Sequence, residues 1–522
     1  MIHGWCIGAC VGFWYEKSDG WLLSSLSTKK YHICRGRGAF ESLGAGMEMR
    51  VGDIAFKSNF AVIDDETGVV LRRRVDRAFE EAGPVLCGAL NGMRVEVEGS
   101  WYRVYCQYAT EHRCGVVIRE EGRDCDGGNI LSSMKGVGNG GCWGLSDQIE
   151  GTDPLKDGLQ LRTSVAWAVE GGSVGNKCDG PDESYVKEEV MRRERTARVV
   201  NAVSDRMRAV LRGHPLNKKR EQEGKAAANV VLLRGCGSLL DLETFQEKHG
   251  VKACMVAPTK IIAGLGKSVG MDVLEVDGAT GDYRSDFRSK AVRMSRALVG
   301  GGGCGGFGEI PYADGCRGDP ETRTLSLSRS QSSYGFGFLH IKAVDDASHD
   351  RDVSLKVACL EVVDAMLGQL VKALHKAGAG NVVLGITGDH STPVEYGDHS
   401  HEPVPIMMST VNDIVGAIPD EALDAIDMDA LPLPEDILNM SPEERIDTYF
   451  PWKRTLLDEN VHRQNVDTKN RAHHACKHDD VMRFCETDCA RGCLGRFPGC
   501  YTVPALYRFG ALHQKFNTRY HD

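Results

Sequence analysis

The chain has 522 residues, 42 % of them apolar and 26 % charged, the composition of a globular protein with enough length for one large domain and a second. A formal net charge of −10 argues against a nucleic-acid binder that works through a broadly basic surface, yet leaves room for an anionic substrate held by a few arginines or a metal. The opening "MIHGWCIGACVGFWYEKSDG" has no basic start, and Gly, His and Glu interrupt its apolar residues, so it reads as neither a signal peptide nor a membrane span.

In chain order, the first sixty or so positions alternate Gly-rich turns with short apolar runs. Strand-like pieces "RCGVVIRE" and "TSVAWAVE" flank a Gly-rich loop, and "ESYVKEEVMRRERTARVVNAVSDRMRAVL" carries apolar residues at the three- and four-residue spacing of a helix. From there the pattern becomes strand, loop, helix: "NVVLLRG", "VKACMVA" and "MDVLEV" read as buried strands with helical pieces between them, which predicts a mostly parallel sheet covered by helices. Residues 299–334, rich in Gly and Ser, read as a surface insertion, and residues 411–480, acidic and then His-rich, as a second. Between them "GFGFLHIK" predicts a strand. "DVSLKVACLEVVDAMLGQLVKALHKAG" predicts a helix with Leu355, Leu360, Val363, Met366 and Leu370 on one face and Gly378 as its stop. "NVVLGIT" predicts the next strand.

The 19 cysteines are odd in number and irregularly spaced, which reads as mostly reduced thiols in a cytoplasmic protein. Cys485, Cys489 and Cys493 sit at three-residue gaps without a fourth ligand, a poor match to zinc spacing.

Two strand ends carry polar clusters. After "FLHIK" come Asp345 and His349, four residues apart and so on one face of a helix. After "NVVLGIT" come Asp389 and His390, and nine residues beyond His390 comes His399. In an open α/β sheet ligands gather outside the carboxyl ends of strands. Asp and neutral His together favour zinc or manganese, and two such ions can stabilise both oxygens of a phosphoryl transfer. Taken singly, each of these histidines reads more readily as a helix cap or a surface residue; five such residues at two successive strand ends point to a metal site.

The blocks "HIKAVDDASHD", "TGDHSTP" and "HSHEPVP" resemble the metal-binding blocks of the archaeal-type, cofactor-independent phosphoglycerate mutases of the alkaline phosphatase superfamily. "RGRGAFESLGAGMEMRVGDIAFKSNFA", "EHRCGVVIR", "GTDPLKDG", "HPLNKKREQEGKAAANVVLLRGCG" and "GCLGRFPG" follow the same family in order, from about Ser18 to about Gly499. The resemblance implies a three-layer α/β/α phosphatase-like domain made of residues 1–65 and 225–522, with a smaller α/β substrate-covering domain inserted at 66–224 and the active site in the cleft between them. It implies two divalent metal ions (manganese, zinc, magnesium or cobalt), with Asp345, His349 and His399 on one and Asp389 and His390 on the other. It implies isomerisation of 3-phosphoglycerate to 2-phosphoglycerate in glycolysis and gluconeogenesis through a phosphoserine, with no requirement for 2,3-bisphosphoglycerate. The partner is then a small phosphorylated carboxylic acid, not a nucleic acid or a membrane.

Ser18, with Asp19, matches the family's nucleophile block at the expected offset before Arg35, although Lys17 and Leu22 replace its Gly and His; Ser24 and Ser25 compete. His112, Arg113, Asp153 and Arg234 are the substrate-binding candidates, because a phosphorylated acid calls for bidentate arginines. Arg35 and Arg37 read as substrate groups or as helix-start anchors. His401 replaces a Gly of the family pattern, and Asp398 has no counterpart role. The family opens with a strand whose terminal Asp-Gly supplies a ligand of the second metal, and this sequence starts beyond it. That predicts a chain which binds one metal well and turns over poorly. The rival readings are a related metal-dependent phosphohydrolase and a non-catalytic, metal-stabilised relative.

Overall fold

The structure is a computed structural model and describes residues 36–76, 78–122, 144–168, 183–240, 242–299, 334–400, 402–450, 502–503 and 506–509. Ser18, Asp19, Arg35, His401 and the three cysteines at 485, 489 and 493 lie outside the described residues, as do most of the first insertion and residues 451–480 of the second. Two compact units emerge. Among the described residues, the smaller takes 36–242 together with Lys260–Ser268, and the larger takes Glu243–Thr259 and those from Val269 onward.

The smaller unit is built on an antiparallel sheet. Strands β1 (Ile54–Ile63), β2 (Val69–Arg72), β3 (Met93–Val97), β4 (Ser100–Thr110), β5 (Arg113–Glu120), β6 (Leu159–Gln160) and β7 (Val230–Ser238) pair in the order β3-β4-β5-β1, with β7 on the other edge of β1 and β2-β6 continuing from its end. Helix α1 (Arg37–Gly44) precedes the sheet, α2 (Ala82–Leu90) lies between β2 and β3, and α3 (Glu183–Gly213) and α4 (Pro215–Gln222) precede β7. Alternation along the strands decides what each face does. Ile54, Phe56 and Phe60 of β1, Cys114, Val116 and Ile118 of β5, and Val231 and Leu233 of β7 pack under Leu86 and Leu90 of α2 and Val200, Val203, Met207 and Leu211 of α3. The spacing of those α3 residues is the helical period read in the sequence, and each such burial stabilises by about 1.5–3 kcal/mol. The opposite face carries Lys57, Asn59, Arg113 and Arg234.

The larger unit contains β8 (Ala253–Val256), β9 (Asp272–Val273) and β10 (Phe336–Leu339), parallel in the order β10-β8-β9. Helix α5 (Phe245–His249) precedes β8, and α6 (Lys260–Ser268), which follows it, belongs to the smaller unit. Helix α7 (Phe287–Val299) turns Met294 and Ala297 to this sheet, and Phe287, Ala291 and Val292 to the second core. That core centres on α9 (Val353–Lys376), which follows the short α8 (Ala343–His349). Asp352 caps α9 through the Leu355 N–H at 2.9 Å, and Gly378 ends it with φ +72°, the left-handed turn only Gly takes freely. β11 (Val383–Thr387) and β12 (Ile406–Thr410) form an antiparallel pair, with Thr387 opposite Ile406.

Four expectations change. Residues 36–65 and 225–242, assigned from sequence to the phosphatase-like domain, lie in the smaller unit, because β1 pairs with β5 along one edge and with β7 along the other. "NVVLLRG" therefore belongs to an antiparallel sheet, and a continuous apolar run did not distinguish the two kinds of buried strand. "TSVAWAVE" supplies only a single bridge, Ala166 to Ile149, within its described residues. Finally, the second insertion folds against the core up to residue 450. It forms α10 (Val411–Gly416), α11 (Asp420–Asp424), α12 (Pro434–Ile437) and α13 (Pro442–Tyr449), and Val411, Ala422, Ile426, Ile437 and Phe450 are buried beside α9.

Candidate active site

β10 delivers the chain into α8, whose buried side (Ala343, Val344, Ala347) anchors it while Asp345 and His349 share the other. The extended hairpin between β11 and β12, closed by a Ser391–Ser400 bridge, returns Asp389, His390, Asp398 and His399 to the same place. His349 Nε2 lies 3.3 Å from Asp345 Oδ2, and His399 Nε2 lies 3.4 Å from Asp345 Oδ1. The two Nε2 atoms are 3.0 Å apart, and the His390 ring stacks on His399 at 3.6 Å between centroids. All five metal candidates thus meet in one cluster, in which Asp345, His390 and His399 form one converging group and His349, Asp398 and His399 another.

The Nδ1–H of His349 donates to the Gly397 carbonyl at 3.0 Å, which leaves Nε2 as the ligand nitrogen of the neutral ring. Thr392 Oγ1 donates to Asp345 Oδ1 at 2.8 Å and so accepts from His390 Nδ1 at 3.0 Å. His390 Nε2 then faces Asp389 Oδ2 at 2.8 Å. Lone pair against lone pair at these distances is repulsive, so each gap calls for a proton or a metal cation. Burial would raise Asp345, but hydrogen bonds from His349 and His399 and the Lys342 ammonium hold it well below the usual carboxylate range. The hydrogen bond to Asp345 raises His349 to about 9, with the Gly397 carbonyl adding to it, and burial pushes Asp389 up against the opposing effect of His390. Carboxylate oxygens and imidazole nitrogens, oriented by outer hydrogen bonds, are a fitting donor set for a divalent ion such as zinc or manganese.

A cavity of about 300 Å³ opens beside the cluster, lined by Asp345, Ser348, Lys356, Asp389, His390 and Thr392. Lys356 Nζ donates to the Thr392 carbonyl at 3.0 Å, and Lys342 bridges Asp345 (2.9 Å) and Asp346. Thr392, Lys356 and Lys342 are not among the sequence-based candidates, and Asp398, without a role there, joins His349 and His399 in a converging group. Thr392 stood in the quoted "TGDHSTP", and what exposes its role is its contact with a residue 47 positions away.

The substrate candidates gather in the smaller unit, on the sheet face opposite its core. Asn59 pairs with Arg113 across β1-β5 and Lys57 with Arg234 across β1-β7, which sets the basic side chains on neighbouring strands. Arg73, not foreseen, grips Asp153 in two parallel hydrogen bonds, Nε to Oδ1 at 2.7 Å and Nη2 to Oδ2 at 2.8 Å. Arg234 approaches the same carboxylate at 4.0 Å. Both oxygens of Asp153 are engaged, so it orders guanidinium groups rather than presenting a free acceptor. Burial opposes its ionisation, but Arg73 and the Leu155 N–H keep it below the ordinary value. Burial, then the Arg113, Arg74 and Arg234 charges, lowers His112 to about 4. His112 Nδ1 and Arg234 Nε are buried without a hydrogen-bond partner, as atoms awaiting a ligand would be.

A family model described as 2,3-bisphosphoglycerate-independent phosphoglycerate mutase matches residues 18–217, and one described as the Metalloenzyme superfamily matches residues 321–418, which hold all five metal candidates. A 2,3-bisphosphoglycerate-independent phosphoglycerate mutase from Ignicoccus hospitalis is 33% identical over 410 residues, covering 78% of this chain and 78% of its own. The chain belongs to this mutase family. A second member, from Metallosphaera sedula, is 34% identical over 390 residues, 75% of this chain and 74% of its own. A solved structure from Pyrococcus horikoshii superposes with a TM-score of 0.55 at 20% identity, covering 98% of this chain and 90% of that one, a likeness of fold. The α/β fold class of the metalloenzyme superfamily expected from the sequence stands. Among the described residues no helix is long and apolar enough to cross a membrane.

Proposed function

We propose that this chain interconverts 3-phosphoglycerate and 2-phosphoglycerate in the cytoplasm, through a phosphoserine on Ser18 and without 2,3-bisphosphoglycerate. The observation that carries the reading is the convergence of Asp345, His349, Asp389, His390 and His399 in a chain whose relatives bear that enzyme's name. Asp345, His349 and His399 would hold one divalent ion and Asp389 and His390 a second, with manganese or zinc suiting the mixed donors. Bound there, the ions supply Lewis acidity toward phosphoryl oxygens and lower the pKa of a serine hydroxyl.

The remaining roles fall to the chain itself. Ser18 Oγ gives up its proton and attacks phosphorus as the bond to the 3-oxygen breaks and that oxygen takes a proton; glycerate reorients, and its 2-hydroxyl gives up its proton and takes the phosphoryl group back as the Ser18 bond breaks and Oγ is protonated again. Lys356, at the cavity wall, stabilises the charge spread over the phosphoryl oxygens. Arg113 and Arg234 bind anionic groups of the substrate, Arg73 is held in place by Asp153, and His112, kept neutral, binds by hydrogen bond rather than by charge.

The test is a coupled assay of 3-phosphoglycerate conversion after chelation and stepwise return of manganese or zinc, in the absence of 2,3-bisphosphoglycerate. Metal-dependent 2-phosphoglycerate formation that Ser18→Ala abolishes is the expected result. Release of free phosphate instead would assign a phosphohydrolase, and full activity in Ser18→Ala would remove the serine from the mechanism.

A further inference from the structure

On the core face of the same sheet, opposite the side chains of the basic residues, three thiols converge. Cys106 lies on β4 and Cys114 on β5, and the register places Tyr108 opposite Cys114 and Cys106 opposite Val116, so the two cysteines are diagonal neighbours on one face. Helix α2 crosses that face. A Cβ on its Gly83 would sit 2.2 Å from the Tyr108 ring, and Asn91, just past its end, accepts the Cys106 N–H at 3.1 Å. Cys87 stands midway between Gly83 and Asn91, one helical turn from each, and so over the diagonal pair. The three Sγ atoms lie within 4.8 Å of one another. Exposure is 3%, 5% and 0% for Cys87, Cys106 and Cys114, and the surroundings are Leu86, Leu90, Val104 and Val116.

We propose that Cys87, Cys106 and Cys114 form a trithiol site for a trivalent, thiophilic metalloid, with arsenite as its probe. Sulfur–metal bonds of about 2.3 Å set the sulfurs of one centre about 4 Å apart, inside the observed limit. The choice of valence follows from charge. Three thiolates around a monovalent or divalent ion leave a net negative charge in an apolar core, at a cost of several kcal/mol. Three thiolates on a trivalent centre are neutral. The reaction As(OH)₃ + 3 RSH → As(SR)₃ + 3 H₂O breaks three As–O and three S–H bonds, makes three As–S and three O–H bonds, and changes no oxidation state. S–H donation from Cys106 and then Cys114 lowers the Cys87 thiol, which gives the first sulfur to attack, while the other two are raised. Entry is local, because β4 and β5 slip register between Tyr108 and Thr110, and Glu111 in the intervening turn has φ +48°.

The experiment uses the full, reduced chain incubated with arsenite and desalted. Arsenic content by elemental analysis should fall by one equivalent in each of Cys87→Ala, Cys106→Ser and Cys114→Ser, and remain unchanged in Cys236→Ala and Cys359→Ala, two other buried free cysteines. Arsenite should also raise the Tm of the wild type and not that of the three variants. Because a core variant can fold poorly, X-ray absorption at the arsenic edge on the wild type gives an independent reading, with three sulfur neighbours expected from the one equivalent that the three variants lose. Arsenic content insensitive to all three substitutions, no bound arsenic, or a centre with two sulfurs and an oxygen would overturn the site.

Discussion

The Asp/His cluster of the larger unit and the basic sheet face of the smaller one are opposites in charge and in construction. The first crowds carboxylates and imidazoles until their lone pairs face one another, as His390 Nε2 and Asp389 Oδ2 do at 2.8 Å, and is incomplete without cations. The second sets Lys57, Arg73, Arg113 and Arg234 close together, with Arg73 and Arg234 on the buried carboxylate Asp153, Lys57 3.6 Å from the buried Glu41 and Arg113 3.6 Å from Glu111. One assembles from two short segments at strand ends. The other assembles from three strands and a loop by register.

The largest expected effect breaks the first region and spares the second. His399→Ala removes the nitrogen common to both converging groups and leaves Asp345 with Lys342, His349 and Thr392 alone. Bound metal should fall by at least one equivalent and kcat by more than about 10²-fold, with the smaller unit's fold intact by circular dichroism. Unchanged metal content would mean that the cluster holds protons only. Next in size, Arg73→Ala strips the two guanidinium hydrogen bonds from Asp153, whose side chain is 1% exposed, and leaves only that of the Leu155 N–H. Leaving that charge buried should cost about 3–5 kcal/mol in urea denaturation, with metal content unaffected, and Asp153→Asn with Arg73→Ala should recover part of it. Thr392→Val tests the joint between the metal groups, since one hydroxyl orients both His390 and Asp345. Metal affinity should weaken about 10–100-fold and return in Thr392→Ser, as expected for an outer hydrogen bond that fixes a ligand's tautomer. Equal affinity in the valine variant would reduce Thr392 to packing.

The two regions also differ in how far the sequence discloses them. Asp345-x-x-x-His349 and Asp389-His390 lie in single local patterns, so helical spacing and strand-end position suffice to nominate them. Arg113 and Arg234 were nominated from the family pattern, but their common face depends on β1 pairing with both β5 and β7, and no local period carries that. The same non-local pairing moved the domain boundary and hid Arg73, whose partner is 80 residues distant. Helix α9 and its Gly378 stop were legible because amphipathic period and cap are local; the α10–α12 segment was misjudged because its acidic composition conceals a few apolar anchors such as Ile426 and Ile437.

The smallest effect sharpens the contrast through pH. His112 has its pKa lowered from 6.5 to about 4, by burial first and then by the Arg113, Arg74 and Arg234 charges, against a hydrogen bond to the Asp76 backbone. Above the unfolded value both states carry a neutral ring, and His112 contributes no pH dependence. Between 6.5 and about 4 the unfolded chain takes up a proton that the folded chain refuses, so stability falls as pH falls through that window and levels off below it. The slope contributed is at most about 1.4 kcal/mol per pH unit. Acidification also titrates the Asp/His cluster, so the useful quantity is the difference between wild type and His112→Gln. The glutamine variant should lose less of its urea midpoint between neutral pH and pH about 4.5, because its side chain keeps a hydrogen-bonding amide and cannot charge. Parallel losses in the two proteins would show that His112 meets no cationic field, and the basic face would then lack the density of positive charge that makes it an anion site.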